Sequence, residues 1–262
     1  MGSDSFFEIG YSHDVCQDYV LSGENYLILS DGCTSAPHTD IGARIITHMT
    51  KKYIKYKDFP LKEIMNDSKS LLNDYFSLPL DILSATLLVA KKTNDSFNVF
   101  LMGDGVIVAK RKDSKILVEL YESPFSAPYY PKYTVDHITH DMYMDKFGSI
   151  RKKTSWLLSN DNMDLLSEEI QNCTEPAISM FPQNEYEFVA LFSDGLLSFL
   201  ETIITNTSKS TTIVHWREIL IELLAFKSYT GEFVKRRFKR ALKEFESKNW
   251  HHFDDLSMGV LA

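Results

Sequence analysis

Acidic residues stand at several places where an apolar run of the sequence, typical of a buried β-strand, begins or ends. They are Asp31 and Asp194, each following an apolar run and preceding a glycine, Asp104 in FLMGDGVIVAK, and Asp254-Asp255 directly before the last apolar run. If these runs are strands of one pair of sheets, the carboxylates could meet at one edge. Crowded carboxylates repel one another unless a cation lies among them. Oxygen ligands of this kind suit Mg²⁺ or Mn²⁺ better than zinc.

An ordinary tight turn is the alternative explanation for each Asp-Gly pair, since Asp-Gly is a common hairpin dipeptide. For Asp104-Gly105 we expect such a hairpin turn. The turn explanation does not account for Asp31 and Asp194, because neither precedes a partner strand and the sequence LLSFLE after Asp194 has a helical pattern. These two positions therefore favour a site.

Composition indicates a folded protein with an excess of negative charge. The chain has 262 residues, 44% of them hydrophobic, and a net charge of -8, so we expect no nonspecific binding to nucleic acid. Three cysteines without a CxxC spacing argue against a disulfide framework or a structural zinc site and fit a reducing compartment. Because no leader-like segment and no run of about 18 apolar residues occurs, we expect a cytoplasmic protein that does not span a membrane.

Strands and helices are predicted in blocks. Strands are expected over residues 4–31 with a turn at 22–25, an antiparallel meander over LSATLLVAKK, SFNVFLMGDGVIVAKRK and KILVELYES, and a last strand at LSMGVLA. Helices are expected over residues 39–77 in two pieces and from Leu196 to about Phe245. The first helix would be capped by Thr39 and bury Ile41, Ile45, Ile46, Met49 and Tyr53, and Pro60 would lie in the first turn of the second. This grouping predicts an α+β layered domain and not a doubly wound parallel sheet.

Six short blocks follow the order and spacing of a known family. They are SHDVCQDY, SDGCTS, SATLLVA, MGDGV, FSDGLLSF and DDLSMGV, between about residue 8 and residue 261. The sequence resembles the metal-dependent protein phosphatases of the PP2C (PPM) family, in a divergent bacterial branch. The resemblance implies a PP2C-like β-sandwich of two mainly antiparallel sheets flanked by helices, in α-β-β-α layers, as a single domain over residues 1–262. It also implies a protein serine/threonine phosphatase.

The resemblance implies roles for individual residues. The implied ligands of two Mg²⁺ or Mn²⁺ ions are Asp31, which bridges both, the Gly32 carbonyl, Asp194 and Asp254, with Asp104 helping to hold a third, weaker ion. Asp18 would orient water. Two such cations activate a shared water for in-line attack on phosphorus and neutralise the phosphate charge, so no protein nucleophile is needed. This agrees with the lack of an obvious activating motif around any Ser, Cys or Lys.

Three departures from the family pattern are visible. His13 stands where the family has a phosphate-binding Arg, and imidazole lacks the bidentate fork of a guanidinium. It could bind phosphate as a cation, act as an acid for the leaving oxygen, or be structural. Gln17 replaces a Glu, which predicts weaker binding of the second ion, and DGCTS lacks two glycines of the usual loop. We interpret these changes as features of the branch.

Other segments carry weaker signals. Residues 232–245, EFVKRRFKRALKEF, predict a basic amphipathic helix that docks on the sheet with its charges in solvent. The aromatic loop at residues 121–133 could be a flap over the site or a Pro-stiffened connection. His251 and His252 beside Asp254 are expected to be outside the ligand set, since hard cations prefer oxygen.

Two functions remain open on the sequence. One is a phosphatase for phosphoserine or phosphothreonine proteins, acting as a monomer with a Ser/Thr kinase as a further partner. The other is a catalytically weak or inactive PP2C-fold module with a regulatory or binding role. The intact set of Asp31, Gly32, Asp194 and Asp254 favours the first, because a binding module has no use for mutually repelling carboxylates.

Overall fold

The structure is a computed structural model that describes residues 2–56, 59–159, 162–204 and 209–262. In these ranges the strands are β1 (Ser3–Glu8), β2 (Tyr19–Gly23), β3 (Tyr26–Ser30), β4 (Leu87–Lys92), β5 (Ser96–Met102), β6 (Gly105–Arg111), β7 (Ile116–Glu122), β8 (Ile150–Leu158), β9 (Met163–Asn172), β10 (Ala177–Pro182), β11 (Tyr186–Phe192), β12 (Phe199–Ile204), β13 (Lys209–Ile213), β14 (Trp250–His252) and β15 (Leu256–Leu261). The helices are α1 (Thr39–Tyr53), α2 (Leu61–Leu71), α3 (His137–Phe147), α4 (Trp216–Leu223) and α5 (Phe233–Ser247).

Two antiparallel sheets form the centre of the molecule. One has seven strands in the order β1-β15-β11-β6-β7-β8-β9, and the other has five in the order β10-β5-β4-β3-β2. A small sheet of β13, β12 and β14 stands beside them. Among the described helices, none is long and apolar enough to cross a membrane.

Three apolar layers hold the sheets and helices together, and the alternation of side chains along each strand assigns residues to them. On β3, Leu27 and Leu29 face the other sheet, whereas Ile28 faces the helical side with Ile46 of α1. On the seven-stranded sheet, the outer layer packs against α4 and α5, including Phe238. The predicted α-β-β-α sandwich is therefore confirmed.

The expected hairpin at Asp104-Gly105 is wrong. β5 belongs to the five-stranded sheet and β6 to the seven-stranded sheet, so the chain crosses between the sheets at this point and the expected meander is two separate hairpins. Gly103 and Gly105 have φ angles of 103° and 133°, which only glycine adopts without strain. The two glycines serve the crossing and not a hairpin.

The prediction of a continuous helical region from Leu196 to about Phe245 is also wrong in its first part. Residues 194–197 form one short 3₁₀ turn, and the chain then enters β12 and β13 before α4 begins at Trp216. Residues 199–213 are rich in Ile and Thr, and β-branched side chains favour strands. The helical prediction holds for α4 and α5; residues 205–208 lie outside the described residues.

The helix α1 is confirmed with Ile46 on its buried face, but two of its expected details are wrong. His38 precedes the helix with a φ of 57° and Thr39 is already its first residue, with a side chain that does not cap it. Ile41 is 39% exposed, and the buried face uses Gly42 and Ala43 instead. The helix packs too closely on Ile82 for any side chain at Gly42, which explains why this position of the buried face is a glycine.

Candidate metal centre

Several strand termini meet at one end of the sandwich. Tyr19 at the start of β2 pairs with Ser30 at the end of β3, and Phe192 at the end of β11 pairs with Val106 near the start of β6 and with Met258 on β15. Because neighbouring strands are antiparallel, these starts and ends lie together. This end of the sandwich carries the sequence-predicted acidic residues Asp18, Asp31, Asp104, Asp194 and Asp254.

The backbone of Asp31 is held by Thr86, the residue directly before β4. Its backbone N–H donates to Thr86 Oγ1 (3.1 Å), its carbonyl accepts from the Thr86 N–H (2.8 Å), and the Ser30 hydroxyl donates to the Thr86 carbonyl (2.6 Å). The next residue, Gly32, donates its N–H to the Gln17 carbonyl. A Cβ at Gly32 would come within 2.8 Å of that same oxygen, so the close approach requires glycine.

Asp194 and Asp254 come from two segments that are bound to each other. The Ser193 hydroxyl accepts from the Ser257 N–H (3.0 Å), and the Ser198 hydroxyl accepts from the Asp254 N–H (3.1 Å). Gly195 lies so close to the Asp255 carbonyl that a side chain there would collide with it. These contacts fix the Asp194 turn against the segment that leads into β15.

Asp255 organises the loop that contains His13. Its two carboxylate oxygens accept from the backbone N–H groups of Gly10 (2.7 Å) and Gln17 (2.5 Å), and the residue is 2% exposed. His13 Nδ1 lies 3.1 Å from Asp255 Oδ2, and His13 Nε2 lies 3.6 Å from Asp254 Oδ1. His13 is therefore at the acidic centre, between the last two acidic residues.

The carboxylates at this centre repel one another, and this repulsion raises the pKa of several of them. The pKa of Asp31 is raised well above its ordinary value by burial and by the charges of Asp18, Asp194 and Asp104, although part of its surface remains exposed. The pKa of Asp194 is raised by burial and by Asp254. These acidic residues therefore share one crowded environment in which holding several negative charges is costly.

The same causes raise the pKa of the two most buried members. For Asp18, burial comes first, with the charges of Asp255 and Asp194 adding to it, while the neighbouring Ser193 and Ser257 side chains oppose it. For Asp104, burial comes first and Asp194 adds to it, while the buried guanidinium of Arg151 opposes it. A positive charge at the acidic centre would therefore be stabilising.

The sequence model of the family described as Protein phosphatase 2C matches residues 10–243. The chain belongs to the protein phosphatase 2C family. In a comparison with curated proteins, no sequence matches. The match covers the blocks at the acidic centre up to Asp194 and ends before Asp254.

Solved structures of bacterial phosphatases share this PP2C fold. Serine/threonine phosphatase Stp1 from Staphylococcus aureus is 14% identical with a TM-score of 0.54, covering 99% of this chain and 94% of that chain. The serine/threonine phosphatase PstP/Ppp from Mycobacterium tuberculosis is 14% identical with a TM-score of 0.52, covering 98% and 96%. The catalytic domain of PstP in complex with 2 manganese ions is 13% identical with a TM-score of 0.50, covering 98% and 96%. At these identities the likeness shows the fold alone.

The donor set of this PP2C-family chain fits hard divalent cations. Among the described residues, no three His, Cys, Asp or Glu side chains are arranged so that they would hold a metal ion as they stand. The fit rests on the chemistry of the donors. Both carboxylate oxygens of Asp18 are buried without a hydrogen-bond partner, and the neighbouring carboxylates repel one another, so a bound cation would satisfy both demands.

Gln17 and the two histidines before Asp254 each make defined contacts near the acidic centre. The Gln17 side-chain amide donates to Thr39 Oγ1 (2.9 Å), which itself donates to the Cys33 carbonyl (3.1 Å). Gln17 therefore links the loop that bears Asp18 to the start of α1. His252 is buried, with Nδ1 2.9 Å from the Asp254 carbonyl, whereas the His251 ring faces Tyr11 with centroids 6.0 Å apart.

Sequence reasoning missed the residues that support the site. Thr86, Ser193 and Ser198 lie inside the blocks SATLLVA and FSDGLLSF, but the sequence analysis assigned no role to them. Arg151, which is 1% exposed, lies on β8, a strand that the sequence analysis did not predict. No local pattern in the sequence marks Arg151 as a neighbour of Asp104.

The aromatic loop at residues 121–133 reaches the acidic centre. Tyr129 and Tyr130 are buried. Burial raises the pKa of Tyr130, with further contributions from Cys33, Asp104 and Asp31. Tyr129 and Tyr130 therefore pack beside the acidic centre, while Phe125 of the same loop is 87% exposed.

Proposed function

We propose that the protein is a metal-dependent phosphomonoesterase that hydrolyses phosphoserine or phosphothreonine in proteins. The observation that carries the proposal is the meeting of Asp18, Asp31, Asp104, Asp194 and Asp254 at one end of a PP2C fold. Membership of the protein phosphatase 2C family and the likeness to bacterial serine/threonine phosphatases support it. The catalytic unit would be the whole chain, 1–262, as a single cytoplasmic domain.

The residues would divide between binding cations and placing water. Asp31, the Gly32 carbonyl, Asp194 and Asp254 would hold two Mg²⁺ or Mn²⁺ ions, and Asp104 would contribute to a third site. When bound, such cations supply Lewis-acid chemistry, activating water for attack on phosphorus and neutralising the charge of the phosphate. The manganese complex of the PstP catalytic domain supports this choice of metals.

The protein's own part is to hold these groups in place. Thr86 holds the backbone of Asp31 at both its N–H and its carbonyl. Asp255 holds the loop that brings Asp18 and His13 to the centre. Asp18 would orient a water molecule through the carboxylate oxygens that lack a protein partner. His13 would contact the phosphate or the leaving oxygen from the Asp254 side.

Substrate access is available next to this centre. A cleft of about 320 Å³ is lined by residues of the His13 loop and of the segment before α1, including Ser12, His13, Gln17, Pro37 and His38. A surface cleft of this type can admit a phosphorylated side chain on an extended segment. We propose a phosphoprotein substrate, with the kinase that phosphorylates it as a functional partner, and a monomeric enzyme.

The test is a phosphatase assay on an aryl phosphate and a phosphothreonine peptide with and without Mn²⁺ or Mg²⁺. The expected result is turnover that depends on added metal and stops in EDTA. Activity that survives exhaustive EDTA treatment would contradict the proposal. Tight binding of a phosphopeptide without turnover at any metal concentration would instead identify a noncatalytic PP2C-fold module.

A further inference from the structure

A basic pocket lies between α5 and the segment that follows α4, away from the acidic centre. It has a volume of about 180 Å³ and its lining includes Phe226, Lys227, Phe233, Arg236, Arg237 and Arg240. The N-terminus of α5 is fixed to Asp4, whose carboxylate accepts from the Val234 N–H (2.6 Å). Asp4 pairs with Val260, near the end of β15 that is opposite Asp254. With about 3.3 Å per strand residue, the two sites are separated by roughly the length of a strand.

Three of the four cations that line this pocket form no ion pair within the described residues, although the pKa of Glu232 is lowered by its pairing with Lys235 and also by the charge of Arg236. Arg237 is paired, because its guanidinium contacts Glu222 and Glu244. In the part of the chain that the structure describes, no acidic side chain forms an ion pair with Lys227, Arg236 or Arg240. Arg236 Nη2 donates to the Thr230 carbonyl (2.8 Å). Three cations thus remain available around one cavity of a protein whose net charge is -8.

The size and lining of the pocket restrict its ligand. The pocket is small, with a volume of about 180 Å³, and it can admit a phosphate group and its first carbon atoms. Two guanidinium groups offer planar forks that match phosphate oxygens. The rings of Phe226 and Phe233 at the same pocket can contact the carbon atoms that carry the phosphate.

The surroundings disfavour a membrane as the occupant. The apolar residues of α5, Phe233, Val234, Phe238, Ala241 and Phe245, are buried in the core. Among the described residues from 222 to 247, no large apolar side chain is exposed. Peripheral helices that bind membranes insert large apolar side chains into the interface. The exposed part of α5 carries charged side chains instead.

We propose that this pocket is an accessory binding site for a phosphate monoester group, such as one carried by a phosphorylated protein segment. The site does not depend on the acidic centre, and it would retain a phosphorylated partner whether or not that centre hydrolyses it. The pKa of Arg237 is lowered, first by burial; the charge of Glu244 opposes this shift, and the charge of Arg240 adds to it.

The test measures binding to the full chain in EDTA, so that a metal-dependent site does not contribute. The probe is a fluorescent phosphothreonine peptide, followed by anisotropy, with its unphosphorylated form and inorganic phosphate as competitors. The pocket variant is Arg236→Gln/Arg240→Gln. The matched control is Lys239→Gln/Lys243→Gln, which removes the same charge from the same helix but at residues that line the cleft on its other flank, beside Tyr11 and Trp250.

We expect saturable binding of the phosphopeptide by the wild type, a loss of at least about tenfold in affinity in the pocket variant, equivalent to roughly 1.4 kcal/mol, and less than twofold in the control. Competition by inorganic phosphate but not by the unphosphorylated peptide would show that the phosphate group is the ligand. Arg236→Lys/Arg240→Lys should bind less tightly than wild type although the charge is kept, because the guanidinium forks are lost.

A loss of folding in the double variant would be detected by thermal denaturation. The single Arg240→Gln variant then provides the test, since its side chain forms no hydrogen bond or ion pair within the described ranges. Equal weakening in pocket and control variants, no saturable binding by the wild type, or binding only to vesicles of anionic phospholipid would each overturn the proposal. Turnover of a small aryl phosphate should be unchanged in the pocket variants.

Discussion

Thr86 and Asp31 are joined by two backbone-directed hydrogen bonds, with the Asp31 N–H donating to Thr86 Oγ1 (3.1 Å) and the Thr86 N–H donating to the Asp31 carbonyl (2.8 Å). Thr86 also stands against the Gly103 turn, where a Cβ would lie 2.9 Å from its methyl group. One threonine therefore sets the position of the proposed bridging ligand relative to the crossing that carries Asp104.

Thr86→Val tests this positioning role. Valine keeps the shape but leaves the Asp31 N–H without a partner, which should cost roughly 1–3 kcal/mol in the free energy of unfolding. We also expect roughly a tenfold rise in the Mn²⁺ concentration needed for half-maximal activity, as for other groups that orient ligands. Thr86→Ser, which restores the hydroxyl, is the control. A valine variant with wild-type metal dependence would show that Thr86 has a packing role alone.

Asp254 and Asp255 are adjacent but should respond oppositely to amide substitution. Asp254→Asn should abolish turnover with little loss of stability in EDTA, because it removes a repelled charge and keeps the oxygen that accepts from the Asp255 N–H. Asp255→Asn should lower the free energy of unfolding by roughly 1–3 kcal/mol, since an amide can no longer accept from both Gly10 and Gln17. Urea denaturation and phosphatase assays distinguish the two; near-full activity of Asp254→Asn would remove it from the ligand set.

Asp18→Asn should stabilise the metal-free protein. Burial and nearby carboxylates raise the pKa of Asp18, so its contribution to stability is full below the unfolded carboxyl pKa of about 3.9 and is lost as the pH rises. Asparagine does not ionise, so the variant does not lose this stability as the pH rises. Its Tm in EDTA should exceed that of the wild type most at neutral pH, and the difference should shrink as the pH approaches 4. A lower Tm at pH 7 would indicate that the Asp18 carboxylate has stabilising partners in solution.

The acidic centre could be predicted from sequence because its residues lie at strand ends. Asp31, Asp104, Asp194 and Asp254 each adjoin an apolar run, and antiparallel pairing then brings the run ends together. Arg151 could not be predicted, because its link to Asp104 depends on the packing of β8, which has no motif. Whether the carboxylates bind metal in the roles assigned from the family pattern stays a prediction.

The fold was predictable at the level of layers and less so at the level of connections. Grouped strands and helices indicated the α-β-β-α order, but an Asp-Gly pair in a hairpin and one at a crossing between sheets have the same local sequence. At Asp104 the hairpin and the crossing are distinguished only by the strands with which β5 and β6 pair, since these lie in different sheets. Likewise, LLSFLE after Asp194 has helical spacing, and its pairing with β13 and β14 overrides that local preference.

His13 provides the final prediction, because its ring lies between Asp254 and Asp255 where the family pattern has an arginine. If it binds the substrate phosphate as a cation, His13→Ala should raise KM severalfold for an aryl phosphate and for a phosphopeptide while kcat changes less. We expect this outcome, with His13→Arg retaining substrate affinity, because arginine supplies both charge and a fork for phosphate. His251→Ala is the control, since that ring packs beside Tyr11 on the outer side.

The competing role of His13 predicts a different kinetic pattern. A general acid would show its loss mainly in kcat, and the loss would shrink for an aryl phosphate, whose leaving group needs little protonation. In that case His13→Arg would fail to rescue the phosphopeptide reaction, because a guanidinium does not give up its proton. Steady-state kinetics on the two substrates with the Ala and Arg variants separate the roles. If kcat and KM of His13→Ala were unchanged on both substrates, His13 would serve only to hold its loop against Asp255, and phosphate recognition would fall to the bound cations alone.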